Sequence, residues 1–436
     1  MQKTKNAALV EKAINRTGGI AVLNSVAGGL TISRSATLES ANRRQNFSIR
    51  REPYAQALSR VNDYITVKDE LVDEARAAYE EIANRLVDKL SWERDDIKIF
   101  PQGSASTKTL IRTVGNKKFD IDAVCEVNLS SDEALDPMAF FDAVGKALEG
   151  MEAEARRRCW TINYAGKRFY IDFTPSVPLT TVPLTERQAR GLKRAEHEFL
   201  ASALAVVDTP SRNWKTSNPA GIRDWLNRAA NRHIVMQPVV ETFDSARANI
   251  APVEEQSVEV EETLRVAIRL FKRHRDMCVY RGQLLSEFQP ISVILVTLLT
   301  TCYEGLADLI HQGTIRPFPH VVDALIAIAK LLPEMVPRYP DGQYHLDNPT
   351  VVDENFAERW NTDEGERAEA FRTWCKILQD DLQKIVAQSE PEKIAAMTLE
   401  VFGCTDADKP SGCDGTPSLG VVPPVPRAAP VTSGLA

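Results

Sequence analysis

The chain of 436 residues is 43% hydrophobic and 26% charged, a composition typical of globular proteins with a sizeable buried core. Its 60 Asp and Glu residues outnumber its 53 Lys and Arg residues, for a formal net charge of -7. Proteins that coat nucleic acid need a basic surface for the phosphates, so this balance argues against stable nucleic-acid binding. It leaves room for a local basic cleft.

The cysteines and the apolar segments indicate a cytoplasmic protein. The seven cysteines are widely spaced, form no C-x-x-C pair and are accompanied by only six scattered histidines. No disulfide framework or zinc site is visible, and a reducing compartment is favoured. The apolar stretch 20–32 is interrupted by Asn24 and Gly28 and lacks a cleavage pattern, so we expect no export signal. The most apolar run, 291–299, is too short to span a membrane.

Composition divides the chain into four regions. Residues 1–50 form an N-terminal arm with one short predicted helix at 6–15, and residues 51–252 form the predicted catalytic domain. That domain begins with an Ala-, Glu- and Leu-rich stretch at 53–90. The stretch predicts a long spine helix or a pair of helices.

Short β-type runs follow the spine, and helical periodicity returns after them. Strands are predicted at 97–100, 119–127 and 169–177, with a helical stretch near 137–158. Residues 253–402 form a predicted helical domain, with helices at 257–280, 290–311, 319–332 and 364–388. Strands followed by helices predict an α+β fold. The Pro-, Gly- and Ser-rich residues 403–436 predict a disordered tail.

A pair of aspartates lies on the second predicted strand. Alternation along 119–127 places Phe119 and Ile121 on one face and Asp120 and Asp122 on the other. Two neighbouring carboxylates repel each other unless a cation lies between them. Hard divalent ions such as Mg²⁺ prefer such oxygen ligands, so the pair predicts a metal site.

A third carboxylate lies on the next predicted strand. The apolar positions of 169–177 leave Asp172 on the opposite face, where a neighbouring strand can bring it to the same ion. A D-x-D pattern alone carries little weight, since Asp406 and Asp408 repeat it in the predicted tail. An ordinary set of surface carboxylates stays open as the alternative.

A glycine turn upstream predicts an anion site. Gly103 and Ser104 follow the first predicted strand and open a helix, which exposes backbone N–H groups and the positive end of the helix dipole. Residues 103–118 contain no acidic residue and four basic ones, which are Lys108, Arg112, Lys117 and Lys118. The local field is therefore positive beside the carboxylates. An ordinary helix N-cap followed by a solvated loop is the alternative.

The order of these three features resembles the polymerase-β type nucleotidyltransferase superfamily. The sequence contains no P-loop, H-E-x-x-H or G-x-S-x-G motif that would favour another chemistry. The fingerprints look like those of the bacterial cyclic-oligonucleotide synthases of anti-phage CBASS defence, relatives of cyclic GMP-AMP synthase and oligoadenylate synthase. They are Gln102-Gly103-Ser104…Thr107, Phe119-Asp120-Ile121-Asp122 and Ile171-Asp172-Phe173-x-Pro175.

Further segments are similar to the same group, so the likeness runs from about residue 55 to residue 400. They are Trp214-Lys215-Thr216-Ser217-Asn218-Pro219-x-Gly221, the helical run 264–273, Pro290-Ile291-Ser292, and Asn348-Pro349…Glu354-Asn355-Phe356-x-x-x-Trp360.

The resemblance implies an α+β fold with a polymerase-β-like core, a mixed sheet, an N-terminal spine helix and a helical C-terminal lobe. It implies template-independent synthesis of a cyclic di- or trinucleotide second messenger from NTPs, ATP among them. Asp120, Asp122 and Asp172 would be catalytic and would hold two Mg²⁺ or Mn²⁺ ions. No membrane or stable nucleic-acid partner is implied. In some operons of this family a ubiquitin-ligase-like partner acts on the C-terminus.

The resemblance also implies five nucleotide-binding residues, which are Gly103, Ser104, Thr107, Lys272 and Ser292. Lys272 lies at the edge of an apolar helical stripe, from which a lysine can reach a triphosphate. A solvated basic face fits the spacing equally well. Ser292 suits either a phosphate contact or a plain hydroxyl at the start of a helix after Pro290.

Three other functions stay open from the sequence. The same site can serve a transferase that makes linear oligonucleotides or modifies tRNA ends. It can also serve a toxin-type enzyme that nucleotidylates a protein or an RNA. A degenerate nucleotide-binding scaffold is the non-enzymatic alternative, against which the three intact aspartates argue.

Overall fold

The computed structural model describes residues 4–19, 37–115, 117–236, 256–259 and 262–404. Only the backbone is described for 37–50. The predicted tail at 403–436 lies outside these ranges except for its first two residues.

Seven strands form one mixed sheet in the described residues. They are β1 (Ile97–Pro101), β2 (Phe119–Val127), β3 (Ala153–Ala155), β4 (Trp160–Asn163), β5 (Phe169–Pro178), β6 (Leu204–Asp208) and β7 (Asn213–Ser217). The order is β1-β2-β5-β4-β3, while β6 pairs with the end of β5 and with β7. Strands β2 and β5 run parallel and the other pairs are antiparallel. The mixed sheet is therefore built around one parallel pair.

The described residues also contain twelve α-helices. They are α1 (Lys5–Arg16), α2 (Thr37–Ile65), α3 (Asp69–Leu90), α4 (Gly103–Ser106), α5 (Pro137–Ala147), α6 (Leu184–Ala189), α7 (Pro219–Ala230), α8 (Thr263–Tyr280), α9 (Ser292–His311), α10 (Val321–Leu331), α11 (Glu366–Val386) and α12 (Pro391–Val401). The concentration of helices after the sheet confirms the predicted α+β class.

The described residues contain two buried cores, one on the sheet and one among the helices, and the boundary between them along the free face of β2 and β5 is here called the cleft. In the first, one face of the sheet packs against α3 and α5. In the second, α2 packs with α8 to α12. The two helices of the spine therefore belong to different cores. Because apolar burial is the main stabilising term in folding, each core supports its own side of the cleft.

The stretch 53–90 forms the predicted helix pair, although the first helix begins earlier than predicted. It begins at Thr37, and Pro53 lies inside it. The predicted helix near 137–158 is wrong beyond Ala147. There the chain turns through Gly150 and Glu152, which both have positive φ, and continues as β3. Pairing of β3 with β4 outweighs the local helix propensity.

Helix α9 is long and apolar enough, by composition, to cross a membrane. Of its most apolar window, 67% is buried inside the protein. Its side chains join those of α8 and α10 in the second core. Its apolar character therefore serves the packing of the helical lobe.

Helix α1 packs against α9 at Gly305. A Cβ atom at Gly305 would lie 2.4 Å from Val10 Cγ2 and 2.5 Å from the carbonyl oxygen of Asn6, so the helices are in close backbone contact. The Asn6 side chain also donates to Glu304 at 2.9 Å. The described helix of the N-terminal arm is thus part of the helical lobe.

We expect Gly305→Ala to destabilise the full chain by about 1–3 kcal/mol, because the added methyl group overpacks the contact with α1. In a chain that lacks residues 1–19, the same substitution should stabilise by up to about 1 kcal/mol, because alanine is a better helix former than glycine. Urea unfolding measures both free energies. Equal destabilisation in the two backgrounds would show that α1 is not what requires glycine here.

Candidate active site

The pairing of β2 with β5 brings three carboxylates together. In this parallel register Asp122 lies opposite Asp172, and Asp120 lies opposite Tyr170. One carboxylate oxygen from each aspartate lies within 4.8 Å of the other two. The alternate residues of both strands are buried in the sheet core. The period of two therefore fixes all three aspartates on the cleft face.

Neighbouring elements orient these aspartates. Thr161 on β4 lies opposite Asp172, and its hydroxyl donates to Asp172 Oδ1 at 2.5 Å. Arg156 donates in turn to the Thr161 hydroxyl at 3.4 Å. From α3, the Tyr79 hydroxyl donates to the backbone carbonyl of Asp122 at 3.1 Å. Both strands of the parallel pair are therefore tied to the elements beside them.

Burial and mutual repulsion make these carboxylates hard to ionise together. Burial and the charge of Asp172 raise the pKa of Asp122 to about 6. Desolvation and the charges of Asp122 and Asp172 also raise the pKa of Asp120, whose side chain reaches further into solvent. Lys272 opposes both shifts. A cation held between the carboxylates removes the repulsion, which is the electrostatic condition for a metal site.

The turn between β1 and α4 approaches Asp122 closely. Gly103 has a φ of +57°, and a Cβ atom there would lie 2.4 Å from Asp122 Oδ2, so only glycine allows this approach. The backbone N–H of Gln102 donates to the Asp122 carbonyl at 3.0 Å. The hydroxyl of Ser104 makes no hydrogen bond to another described residue. The turn thus leaves a hydroxyl group beside the aspartates for a ligand.

Three side chains from the helical side of the cleft donate to backbone carbonyls of this turn and the loop that follows it. Gln256, Arg265 and Lys272 bond the carbonyl oxygens of Ala105, Thr107 and Thr109, at 3.2, 3.3 and 3.0 Å respectively. The acceptors alternate along the chain, so the donors hold one continuous edge of the loop. The position of the turn therefore depends on the helical lobe.

Lys272 is the cation whose charge acts on Asp120 and Asp122. Burial and the charge of Arg275 lower the pKa of Lys272 to about 8, while Asp276 and Asp122 oppose the shift. The ammonium group is therefore mostly protonated at neutral pH. Its ammonium group lies at the loop that follows Ser104, where it can contribute positive charge toward a bound phosphate.

The hydroxyls of Thr107 and Ser292 both contact other parts of the protein. Thr107 is buried, and its hydroxyl bonds the carbonyl of Gly103 and the hydroxyl of Thr109, at 3.1 and 2.8 Å. Ser292 opens α9, and its hydroxyl accepts from Arg275 at 3.3 Å. Thr107 therefore shapes the turn, and Ser292 helps to hold Arg275 near Lys272.

The basic stretch 103–118 is only partly directed at the site. The guanidinium group of Arg112 lies over the ring of Tyr64, 5.1 Å from its centroid. Lys118 donates to the backbone carbonyl of Tyr164 at 3.0 Å. These two cations therefore serve contacts outside the aspartates, and Lys272 supplies positive charge from the other lobe.

Thr161, Tyr79 and Gln256 contact the site but were not predicted from the sequence. Each acts through a contact between elements that are distant in the chain, at separations of 11, 43 and 151 residues. The short alternating run at 160–163 was the available signal for a strand that carries Thr161. No local pattern marks Tyr79 or Gln256.

Known proteins share the domain that carries this site. Residues 97–175 match the family model for the nucleotidyltransferase domain of cyclic GMP-AMP synthase DncV-like proteins. Residues 97–175 are thus similar to the nucleotidyltransferase domain of the DncV-like proteins. The match spans the Gly103 turn, Asp120, Asp122 and Asp172, so the resemblance inferred from the motifs is confirmed.

A curated relative and two solved structures cover more of the chain. The c-di-GMP synthase of Roseivirga ehrenbergii is 26% identical over 334 residues, which are 75% of this chain and 78% of the relative. The CD-NTase CdnG of Bradyrhizobium diazoefficiens, solved with GTP, has a TM-score of 0.55 at 18% identity, over 79% of this chain and 97% of that one. The CdnC:HORMA-deltaN complex of E. coli MS115-1 has a TM-score of 0.50 at 14% identity, over 80% of this chain and 96% of that one. The structural likeness shows that this chain shares its fold with these two proteins.

We expect Asp122→Asn to stabilise the protein when no divalent cation is present. The folded-state pKa of about 6 exceeds the ordinary value of 3.8, so the ionised carboxylate destabilises the fold above about pH 6. This effect fades as the pH falls through that value and is lost below about pH 4. The melting temperature of the variant should therefore exceed that of the wild type at pH 7, and the difference should shrink on acidification.

Added Mn²⁺ should raise the melting temperature of the wild type and leave that of Asp122→Asn nearly unchanged. Asp142→Asn, on an exposed face of α5, is the matched control and should respond to Mn²⁺ as the wild type does. Equal stabilisation of Asp122→Asn by Mn²⁺ would show that the carboxylates do not hold the metal.

Proposed function

We propose that this protein is a template-independent nucleotidyltransferase that joins nucleoside triphosphates and closes the product into a cyclic dinucleotide. The observation that carries the proposal is the cluster of three aspartates beside the Gly103 turn, within a DncV-like domain. The relative named c-di-GMP synthase matches three quarters of the chain and favours a dinucleotide over a trinucleotide.

Two Mg²⁺ or Mn²⁺ ions are the proposed cofactors. Three carboxylates converge on one point, which is the donor set that hard divalent cations prefer. Asp120 and Asp122 would hold one ion, and all three aspartates would hold the other. When bound, the ions stabilise charge on the attacking and leaving oxygens and lower the pKa of the acceptor hydroxyl.

The residues of the chain position the reactants. Thr161 donates a hydrogen bond to Oδ1 of Asp172. The other oxygen, Oδ2, would accept a hydrogen bond from the ribose hydroxyl of the acceptor nucleotide. The hydroxyl oxygen attacks the α-phosphorus of the donor, a phosphodiester bond forms and pyrophosphate leaves. Ser104 and Lys272 lie on the same side of the aspartates as the Gly103 turn. There they would stabilise the negative charge of the leaving pyrophosphate. A second round of the same reaction closes the ring.

We expect Asp120→Ala combined with Asp122→Ala to lower Mg²⁺-dependent pyrophosphate release from a mixture of four NTPs by at least about a hundredfold, because the charge on the reacting phosphate loses its stabilisation. Asp142→Ala is the matched control and should retain wild-type release. Full release by the double variant would refute the assignment of the site.

We further propose that the product is a second messenger of anti-phage defence made in the cytoplasm, and that a ubiquitin-ligase-like operon partner acts on the C-terminus. The family resemblance supports this role. A solved structure of the related fold, CdnC, holds a HORMA protein, so a relative of this fold assembles with another protein. Residues 405–436 lie outside the described residues.

Deleting residues 405–436 should therefore abolish conjugation by the operon partner and leave pyrophosphate release unchanged. Co-expression with the operon, followed by mass analysis of the synthase, measures conjugation. Unchanged conjugation of the shortened chain would exclude the C-terminus as its site.

A further inference from the structure

Two arginines in the turn between β3 and β4 share one carboxylate oxygen. The Nε atoms of Arg157 and Arg158 donate to Oδ1 of Asp208, at 2.8 and 3.2 Å. The two side chains are 34% and 38% exposed. Among the described residues, neither guanidinium group uses its terminal nitrogens in a hydrogen bond. Each arginine therefore keeps its paired N–H donors for another acceptor.

Lys215 on β7 adds a third cation beside them. Its ammonium nitrogen is 3.9 Å from Glu354 Oε1, and the side chain is 32% exposed. Burial and the charge of Arg158 lower the pKa of Lys215, while Glu354 and Asp208 oppose the shift. We call these three residues, Arg157, Arg158 and Lys215, the basic cluster. Its three cations have only two carboxylate partners, those of Asp208 and Glu354, among the described residues. The cluster carries an excess of positive charge that an anion would neutralise.

The backbone holds the basic cluster in place. The N–H of Thr209 donates to the carbonyl of Arg157 at 2.9 Å, which ties the β3–β4 turn to the β6–β7 turn. The Ser211 hydroxyl donates to Oδ2 of Asp208 at 2.7 Å. The geometry is therefore set before any ligand binds, which lowers the entropy cost of binding.

The fold itself does not account for Lys215. Within the same sequence motif, Trp214 is buried in the sheet core, and Asn218 caps α7 by accepting from the N–H of Gly221 at 2.9 Å. Lys215 between them makes only the distant contact with Glu354 in the described part of the chain. A contact at 3.9 Å between partly exposed groups contributes little to stability.

The basic cluster lies across the aspartates from the Gly103 turn. That turn follows β1, which borders β2 on one side of the parallel pair. Arg157 and Arg158 precede β4, which borders β5 on the other side. Lys215 lies on β7, which pairs with β6, and β6 pairs in turn with β5. The aspartates on β2 and β5 therefore lie between the turn and the basic cluster.

Lys215 of the basic cluster also lies on the sheet face that carries the aspartates. Ser176, Val206 and Lys215 are paired across β5, β6 and β7, and paired residues lie on the same face. Ser176 is four residues beyond Asp172 on β5, so Lys215 lies on the face of Asp172. Arg158 is three residues before Thr161, about 10 Å of extended chain. Thr161 lies opposite Asp172, so Arg158 is near the aspartates along the chain.

We propose that Arg157, Arg158 and Lys215 bind the 5′-phosphates of the acceptor nucleotide, an inference that rests on the proposed function. In transfer to a phosphorus, the attacking oxygen and the leaving group lie roughly in line on opposite sides of it. The pyrophosphate lies toward Gly103 and Lys272, so the acceptor enters from the side of the basic cluster. Paired guanidinium N–H groups match the oxygens of a phosphate.

Titration calorimetry with inorganic tripolyphosphate tests the anion site without any turnover. The wild type should bind two tripolyphosphate ions per chain. In Lys215→Met combined with Arg158→Gln, one of the two should bind at least about tenfold more weakly. Arg157 and Ser211 still bond Asp208 in that variant, so the carboxylate keeps its partners. Lys272→Met should instead weaken the binding of the other tripolyphosphate ion.

Lys393→Met is the matched control, because Lys393 is an exposed residue of α12 paired with Glu390, and this variant should bind two ions as the wild type does. A double variant that binds both ions with wild-type affinity would overturn the proposal. The proposal would also be overturned if the wild type bound only one tripolyphosphate ion and only Lys272→Met lowered the affinity for it.

Acceptor preference tests the assigned role. With GTP as donor, the wild type should prefer GTP over guanosine as acceptor. In the double variant, the preference for GTP over guanosine as acceptor should fall about tenfold. The KM of the donor should stay unchanged. An undiminished preference would overturn the role. If the wild type binds two tripolyphosphate ions and forms no product from any NTP, the proposed function fails while the anion site stands.

Discussion

The parallel pairing of β2 with β5 is the constraint on which the site depends. Its register sets Asp122 opposite Asp172. A slip by one residue would turn Ile121 and Ile171 out of the sheet core, so apolar burial fixes the register. The carboxylates are therefore held together against their own repulsion, and burial together with the charge of Asp172 raises the pKa of Asp122. A fold that concentrates negative charge in this way favours a bound cation.

The helical lobe completes the site by positioning what surrounds the aspartates. Lys272 and its neighbours hold the loop after the Gly103 turn by its carbonyls. On the other side of the cleft, the loop around Thr350 contacts the segment that precedes β6, where the N–H of Glu196 donates to the Thr350 carbonyl at 3.0 Å. Hydrogen bonds at both ends of the cleft thus hold the helical side against the sheet side.

The aspartate cluster could be predicted from sequence because strand alternation is local and both strands have an apolar partner face. The sequence could not predict that Thr161 orients Asp172, because that contact depends on the pairing of β4 with β5. Strand β6 escaped prediction because Leu204–Asp208 is buried throughout and does not alternate. The helix predicted through 137–158 failed for a similar reason, since the pairing of β3 lies outside any local pattern. For α7, the Asn218-Pro219 pair was an available start signal.

Mass spectrometry of the products formed from all four NTPs with Mg²⁺ or Mn²⁺ would show whether this protein closes its product into a ring. We expect a cyclic dinucleotide that has no terminal phosphate and is therefore unchanged by phosphatase. Linear products that keep a 5′-triphosphate, or nucleotide label found only on protein or RNA, would contradict it.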